Sequence, residues 1–239
     1  MDKPMWLRYN VVLQVAGPFA ASLPRTPEEI KTMLENRMPA KAPPDYIPID
    51  ELAEEIVEAV STDEEAPKPG WATFCRDETG LYYEGRCVRG HIKDCALQVA
   101  SFFQPATKNF RAKFVNRVYV ITNKIYMDKN AVDGTQELFI QVMTRRGPRS
   151  SIKNVDYVND PKLTFEMKVL NDGVITEEHL RAVFEYGGIH GMGQERSQGW
   201  GRYALVSITQ IIDAPKVEKP KRTRTKKAPK APAETVEAR

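Results

Sequence analysis

With 239 residues, 41% of them apolar, the chain is long enough to bury a substantial core in one or two domains, yet no stretch approaches the roughly 18 apolar residues of a membrane span. Its start, MDKPMWLRYN, lacks the basic, apolar and cleavage regions of a signal peptide, and three cysteines are an odd number; a cytoplasmic protein with reduced thiols is expected. The net charge of +3 hides a segregation, because residues 24–70 carry 12 acidic and 5 basic side chains while residues 215–239 carry 9 basic and 3 acidic ones.

Residues 6–15, WLRYNVVLQV, are rich in β-branched and aromatic side chains and predict a strand, stopped by Gly17-Pro18. A helix start follows: Thr26 can cap, Pro27 suits the first helical position, and Glu28 and Glu29 suit the positive end of the helix dipole. Ile30, Met33, Leu34 and Met38 give this helix one apolar stripe. After a proline-rich connection over 39–48, a second helix is predicted over 49–61, with Leu52, Ile56, Val57 and Val60 on one face and acids on the other. Residues 24–70 thus read as an acidic helical insertion, whose acidic face serves either as a docking surface or simply as a solvated one.

Pro67-Lys68-Pro69-Gly70 breaks the chain, and residues 71–75 and 81–84 predict two strands around a turn at 76–80. A helix is expected from Gly85 to about Phe103. Arg86, Arg89 and Lys93 stand near its start, where free N–H groups and positive charge suit a phosphate chain; the alternative is a solvated basic first turn. Cys87, His91 and Cys95 recur every four residues along the same helix. Their two sulfurs would start about 12 Å apart along the axis, too far to ligate one ion, so buried thiols are expected rather than a metal centre.

Residues 115–125 predict one strand, Asp133-Gly134 a turn, and residues 137–143 an alternating strand. The segment 144–153, TRRGPRSSIK, is basic and turn-prone, and Arg145, Arg146, Arg149 and Lys153 with their neighbouring hydroxyls suit a sugar–phosphate backbone. It forms part of a basic excursion, 122–160. Residues 163–170 predict a strand, 171–173 a turn, and Thr176 opens a helix to Tyr186. Residues 217–239 have almost no apolar content and are expected to be disordered, leaving a folded domain over 1–214 and a basic tail over 215–239. Such a tail attracts polyanions at long range without selecting among them.

Between that last helix and a final strand over 203–211 lies EYGGIHGMGQERSQGWGRY, residues 185–203, with six of the 14 glycines. A run of this kind permits positive φ and close main-chain approach, and Arg196 and Arg202 are forked donors matched to phosphate oxygens. Gly191, Gly193, Gly199 and Gly201 together with these arginines form a candidate phosphate cradle; the alternative is a loop that needs glycine only to pack tightly. The loop runs from helix into strand, opposite to Rossmann and P-loop turns, and lacks a Lys-Ser/Thr ending. Neither ATP nor NAD is expected, and no cofactor is implied.

The order of these elements fits the α+β class, an antiparallel sheet backed by helices of the ferredoxin-like or RRM-like type. Three blocks then resemble, in the same order, the RAMP proteins of CRISPR effector complexes, closest to the repeated backbone subunit of type III complexes. Residues 75–93, CRDETGLYYEGRCVRGHIK, are similar to that family's RDP-TG-PYIPGSSLKGKIR segment, residues 147–155, GPRSSIKNV, to its NPRQIERV segment, and residues 187–203 to its LGG-GSRGYGRV loop. The resemblance implies an RRM-like core whose helix start, excursion and glycine-rich loop grip the backbone of a guide RNA. It also implies stacking with copies of the chain or related subunits, and a complementary target strand as a further partner. Two departures bear on chemistry. The family's serines before the helix are Arg86 and Cys87 here. Where the family places its target-cleaving aspartate this chain reads Lys68-Pro69-Gly70-Trp71, and His91, His179 and His190 have no evident catalytic partner. The expected function is therefore a non-catalytic guide-RNA-binding subunit, with an endoribonuclease of the superfamily, or a phage or mobile-element single-stranded nucleic-acid-binding protein, as alternatives.

Overall fold

The structure, a computed structural model, describes residues 3–24, 26–37, 48–60, 70–103, 107–144 and 147–212. Strand β1 (Trp6–Val15) alternates as its sequence does, burying Tyr9, Val11, Leu13 and Val15 and leaving Arg8, Asn10, Val12 and Gln14 on the other side. Gly17, at φ +78°, turns the chain directly into β2 (Pro18–Ala20), and β3 (Leu23–Pro24) follows. The break at Gly17-Pro18 is thus a change of sheet rather than an end of strand structure.

The insertion holds helices α1 (Pro27–Arg37) and α2 (Ile49–Val60). The Thr26 hydroxyl accepts the Glu29 N–H (3.3 Å) and donates to the Glu29 carboxylate (2.8 Å), whose other oxygen accepts the Gly70 N–H (2.9 Å). One capping pair thereby closes the insertion on itself. Ile30, Leu34, Ala53 and Ile56 pack with Leu23, Cys75 and Tyr82 in a small core of their own. Met38 lies outside the described residues.

The remaining elements are β4 (Trp71–Thr73), β5 (Cys75–Asp77), β6 (Gly80–Glu84), α3 (Gly85–Gln98) with a tighter turn over Val99–Phe103, α4 (Phe110–Val115), β7 (Val118–Val120), β8 (Lys124–Tyr126), β9 (Gly134–Thr144), β10 (Gly147–Asn159), β11 (Lys162–Leu170), α5 (Glu177–His190) and β12 (Tyr203–Ile211). The main sheet has the order β12-β1-β11-β7 and is antiparallel throughout. With α3 between β1 and β7 and α5 between β11 and β12, this is the βαββαβ arrangement of a ferredoxin-like fold. The α+β expectation holds. Leu13, Phe165 and Met167 of the sheet meet Val88, Ile92, Leu180 and Phe184 of the helices, and each such fully buried side chain contributes roughly 1.5–3 kcal/mol.

Four stretches differ from the sequence expectation. Residues 71–75, expected as one strand, are divided: β4 pairs with β3 and β10, whereas β5 pairs with β6 in another sheet and takes in Arg76 and Asp77, expected as turn. Residues 115–125 are not one strand: Val115 ends α4, β7 is short, and β8 pairs with β6 in another sheet. The chain leaves the main sheet where the Ile121 N–H donates to the Glu166 carbonyl (3.0 Å) and the Thr122 hydroxyl accepts the Glu166 N–H (2.8 Å). One apolar run is thereby shared between two sheets, which local composition cannot reveal. Residues 147–153, expected as turn, are strand: β9 and β10 pair from Thr144↔Gly147 to Gly134↔Tyr157. Among the described strands only the inner part of β10 has further pairing partners, β4 beside Asn154 and Val155 and β2 beside residues 157–159, so the outer hairpin is an arm. Helix α5 does not stop at Tyr186. It continues through Gly187 and Gly188 to His190, and because a Cβ at either glycine would run into Tyr203, these two positions let helix and strand approach closely. The expectation for residues 215–239 falls outside the described residues, and no helix among those described is long and apolar enough to cross a membrane.

The β5–β6–β8 sheet is held at one corner by Asp77, whose carboxylate accepts Lys124 Nζ (2.8 Å), the Tyr126 hydroxyl (2.8 Å) and the Thr79 N–H (3.0 Å). The Lys124 hydrogen bond, before the others, holds this carboxyl down at about 2, against an ordinary 3.8. A carboxylate depressed in this way stabilises the fold above its ordinary value and loses that contribution as the pH falls from about 4 to about 2. Asp77→Asn is therefore expected to show a shallower drop in melting temperature over that range. Thermal melts at half-unit pH steps check this, and parallel slopes for the two proteins would rule it out.

Candidate nucleic-acid interface

Helix α5 ends at Gly191, and the loop to β12 closes on itself and on β1 and β2. The Met192 N–H donates to the Gly201 carbonyl (2.9 Å), the Gly201 N–H to the Pro18 carbonyl (2.8 Å) and the Ala16 N–H to the Arg202 carbonyl (2.8 Å), while Gln194 bridges to Ala20. Gly191, Gly193, Gly199 and Gly201 all have positive φ. An added Cβ would lie 2.6 Å from the Trp200 carbonyl oxygen at Gly191, 2.7 Å from that of Ala20 at Gly193, and inside that of Met192 at Gly201. The protein's own main chain thus occupies the space that glycine provides at these three positions. At Gly199 the neighbour is instead the Arg202 guanidinium, 3.6 Å from the Cβ position.

This loop meets the root of the arm. Lys153 of β10 donates to Glu195 Oε1 (2.9 Å) and to Gln194 Oε1, and Trp200 packs edge-on against Tyr157 with ring centres 5.6 Å apart. Trp200 also rests on the small cluster of Ala20, Ala72, Leu138 and Val155. Lys153, expected to meet a phosphate, is here a half-buried strut whose charge Glu195 answers. Beside the junction a cleft of about 400 Å³ opens between Glu29 and Met33 of α1, Trp71, Ile140 and Ser151 of the arm, and Gln194.

Arg196 and Arg202 are both exposed. Arg202 forms no ion pair among the described residues. Arg196 Nη1 donates to His190 Nε2 (3.0 Å), and since a guanidinium can only donate, that nitrogen carries no proton. The His190 ring lies between those of Tyr186 and His91, roughly parallel to both, with centres 5.7 and 6.2 Å away. Behind it His91 is buried, sharing a hydrogen bond between its Nε2 and the Tyr203 hydroxyl (3.0 Å) and lying 3.6 Å from Cys95 Sγ. Burial first, then the nearby His190 and Arg196, holds His91 down at about 3, and burial pushes the Cys95 thiol up to about 12. His179 is engaged elsewhere, closing a capping box with Thr176 at the start of α5 and packing against Phe103 and Phe110.

Arg86, Arg89 and Lys93 stand on α3, outside the contacts that make this junction. Arg86 is clasped by both oxygens of Glu84 (2.8 and 2.6 Å), in a cleft of about 660 Å³ shared with Leu52, Ile56, Asp77 and Lys124. Arg89 places its guanidinium 4.7 Å from the centre of the Tyr119 ring. Lys93 is half-buried on α3 without an ion pair among the described residues. Arg145 and Arg146 lie outside the described residues; the Arg149 backbone pairs with Val142 in the arm, and its side chain is outside the described set. Sequence reasoning did not single out Gln194, Glu195 or Trp200, which join arm to loop. Partners 41 and 42 residues from Lys153 leave no local pattern to find. It also passed over Phe139 and Ile152, directly opposite one another in the arm and 82% and 51% exposed.

No protein-family model matches the chain, and no curated protein matches it. Among solved structures it is similar to a chain in the cryo-EM structure of the type III-B Cmr-beta bound to cognate target RNA, at 10% sequence identity and a TM-score of 0.45. That similarity extends over 87% of this chain and 61% of the other, so the chain spans about three fifths of the length of the neighbour it matches.

Proposed function

We propose that the chain is a non-catalytic guide-RNA-binding subunit of a CRISPR-type ribonucleoprotein, a backbone component that grips the phosphates of one RNA strand and stacks with copies of itself or related subunits along it. The observation that carries this reading is the junction of arm and glycine-rich loop through Lys153–Glu195 and Tyr157–Trp200. These are two of the segments whose sequences resemble the family's strand-gripping blocks, and the loop that forms this junction also carries the exposed Arg196 and Arg202. Phosphate contacts position a strand without reading its bases, as a subunit that must accept any guide requires. The opposed, exposed Phe139 and Ile152 form an apolar pair that a neighbouring copy would bury, which favours assembly along the strand. The engagement of His91 and His179 in internal bonds favours a role without catalysis.

Full-length protein is expected to copurify with RNA and to bind single-stranded RNA with a log affinity falling against log salt by about 0.7 per phosphate neutralised. Arg202→Ala is expected to weaken that binding roughly tenfold, the size of one charge-assisted hydrogen bond, with an unchanged melting temperature. Fluorescence anisotropy across a salt series checks both. Protein free of nucleic acid and without salt-dependent RNA binding would overturn the reading. Cleavage of labelled RNA, with or without magnesium, would favour a ribonuclease, and equal affinity for DNA of the same sequence would favour a general single-strand binder.

A further inference from the structure

Helices α3 and α5 cover one face of the main sheet, and on the other face Thr164, Ala204, Val206 and Thr209 are exposed. One end of this open face has a distinct chemistry. Arg8 of β1 stands opposite Lys168 of β11, and Lys168 opposite Tyr119 of β7, so three strands present one continuous row, about 10 Å across at ordinary strand spacing. Trp6, two residues before Arg8 on the same side of β1, packs edge-on against Tyr119, with ring centres 5.6 Å apart and planes at 83°. Arg89 reaches around the sheet edge from α3 onto the Tyr119 ring. Of the three cations, Arg8 pairs with Glu166 (2.8 Å), whereas Lys168 has no ion pair among the described residues. The patch therefore joins two half-buried aromatic rings to an excess of positive charge.

Nothing in the fold requires that combination. A sheet end needing only closure would be served by aliphatic residues, and a solvated one by charges without rings. Aromatic side chains flanked by cations are what hold a single nucleic-acid strand irrespective of sequence, the bases against the rings and the phosphates against the charges. We propose that this end of the open sheet face is a second single-stranded RNA contact, stacking one base on Trp6 or Tyr119 and meeting its phosphate with Lys168. The inference rests on the RNA-binding reading above and adds to it a site away from the arm and the glycine-rich loop. It also gives Arg89 a role through Tyr119, whose ring it orients, rather than through a phosphate of its own.

The test uses full-length protein and a single-stranded RNA carrying 5-bromouracil. Photocrosslinks mapped by mass spectrometry are expected on Trp6 or Tyr119, and Trp6→Ala and Lys168→Glu are each expected to weaken binding about tenfold, the size of one stacking or phosphate contact. Should Trp6→Ala fail to fold, Lys168→Glu, which changes only the open face, and the crosslinks decide. If Arg202→Ala weakens binding while Lys168→Glu binds like wild type and no crosslink falls on either ring, this inference is wrong and the loop reading stands. If the wild-type protein binds no RNA, the underlying reading has failed instead. If Lys168→Glu abolishes self-association at unchanged RNA affinity, the patch belongs to the acidic insertion of a second copy, and the inference is again overturned.

Discussion

Gly201→Ala is expected to lower the midpoint of thermal unfolding by roughly 10 °C. Two costs combine. Gly201 has φ +68°, a conformation an L side chain adopts only with strain, and its Cβ would be driven into the carbonyl of Met192, which is itself bonded to Gly201 through its own N–H. Strain of this kind and overpacking against main chain together cost roughly 3 kcal/mol. The loop cannot relax outward without breaking the Gly201–Pro18 and Ala16–Arg202 hydrogen bonds that tie it to the sheet. Gly90→Ala is the matched control: it lies inside α3 with nothing within 4 Å of its Cβ position, and a helical Gly→Ala change there is expected to raise stability slightly. Calorimetry of the two variants separates steric exclusion at 201 from any general effect of replacing glycine. Equal melting points would mean that the loop does not close on Met192.

The second large effect is on acid stability and belongs to His91. Its ring, held at about 3 in the folded protein chiefly by burial, takes up a proton near 6.5 once unfolded. Between those values the unfolded chain binds more protons than the folded one. The neutral ring's contribution is thus complete above about 6.5 and is lost as the pH falls toward about 3, at up to about 1.4 kcal/mol per pH unit for this one proton. The groups facing His91 are the Tyr203 hydroxyl, the Cys95 thiol, and His190 with Arg196 behind it. None is a carboxylate that could compensate a buried imidazolium. His91→Phe is expected to lose about 1–3 kcal/mol at pH 7, because the buried Tyr203 hydroxyl then has no partner, yet to show a flatter decline between pH 6.5 and 4.5. Urea unfolding at several pH values measures both. An unchanged slope would place the proton uptake elsewhere.

The alternation of β1, the cap at Thr26 and the turn at Gly173 were legible because each depends on residues within a few positions of itself. The apolar run at 115–125 was misread because periodicity records which faces are buried, not against which sheet. TRRGPRSSIK looked like a turn because proline and glycine dominate its local chemistry, whereas the cross-strand partners that make residues 147–153 a strand lie in β9. The glycines of 187–201 include places of close approach: the protein's own main chain approaches Gly188, Gly191, Gly193 and Gly201, and the Tyr203 hydroxyl approaches Gly187.

The α+β class, the acidic insertion and the concentration of glycine and arginine before the last strand were determined by the sequence alone, since all are matters of local pattern and charge. Only the tertiary structure decided that Lys153 faces Glu195 rather than solvent, that His91 is sealed against Tyr203, and that Trp6, Lys168 and Tyr119 share one surface. The physical reason is that a side chain's charge state and partner depend on which distant segments the sheet brings beside it. Pairs 42 and 112 residues apart along the chain become neighbours only when the strands take their order.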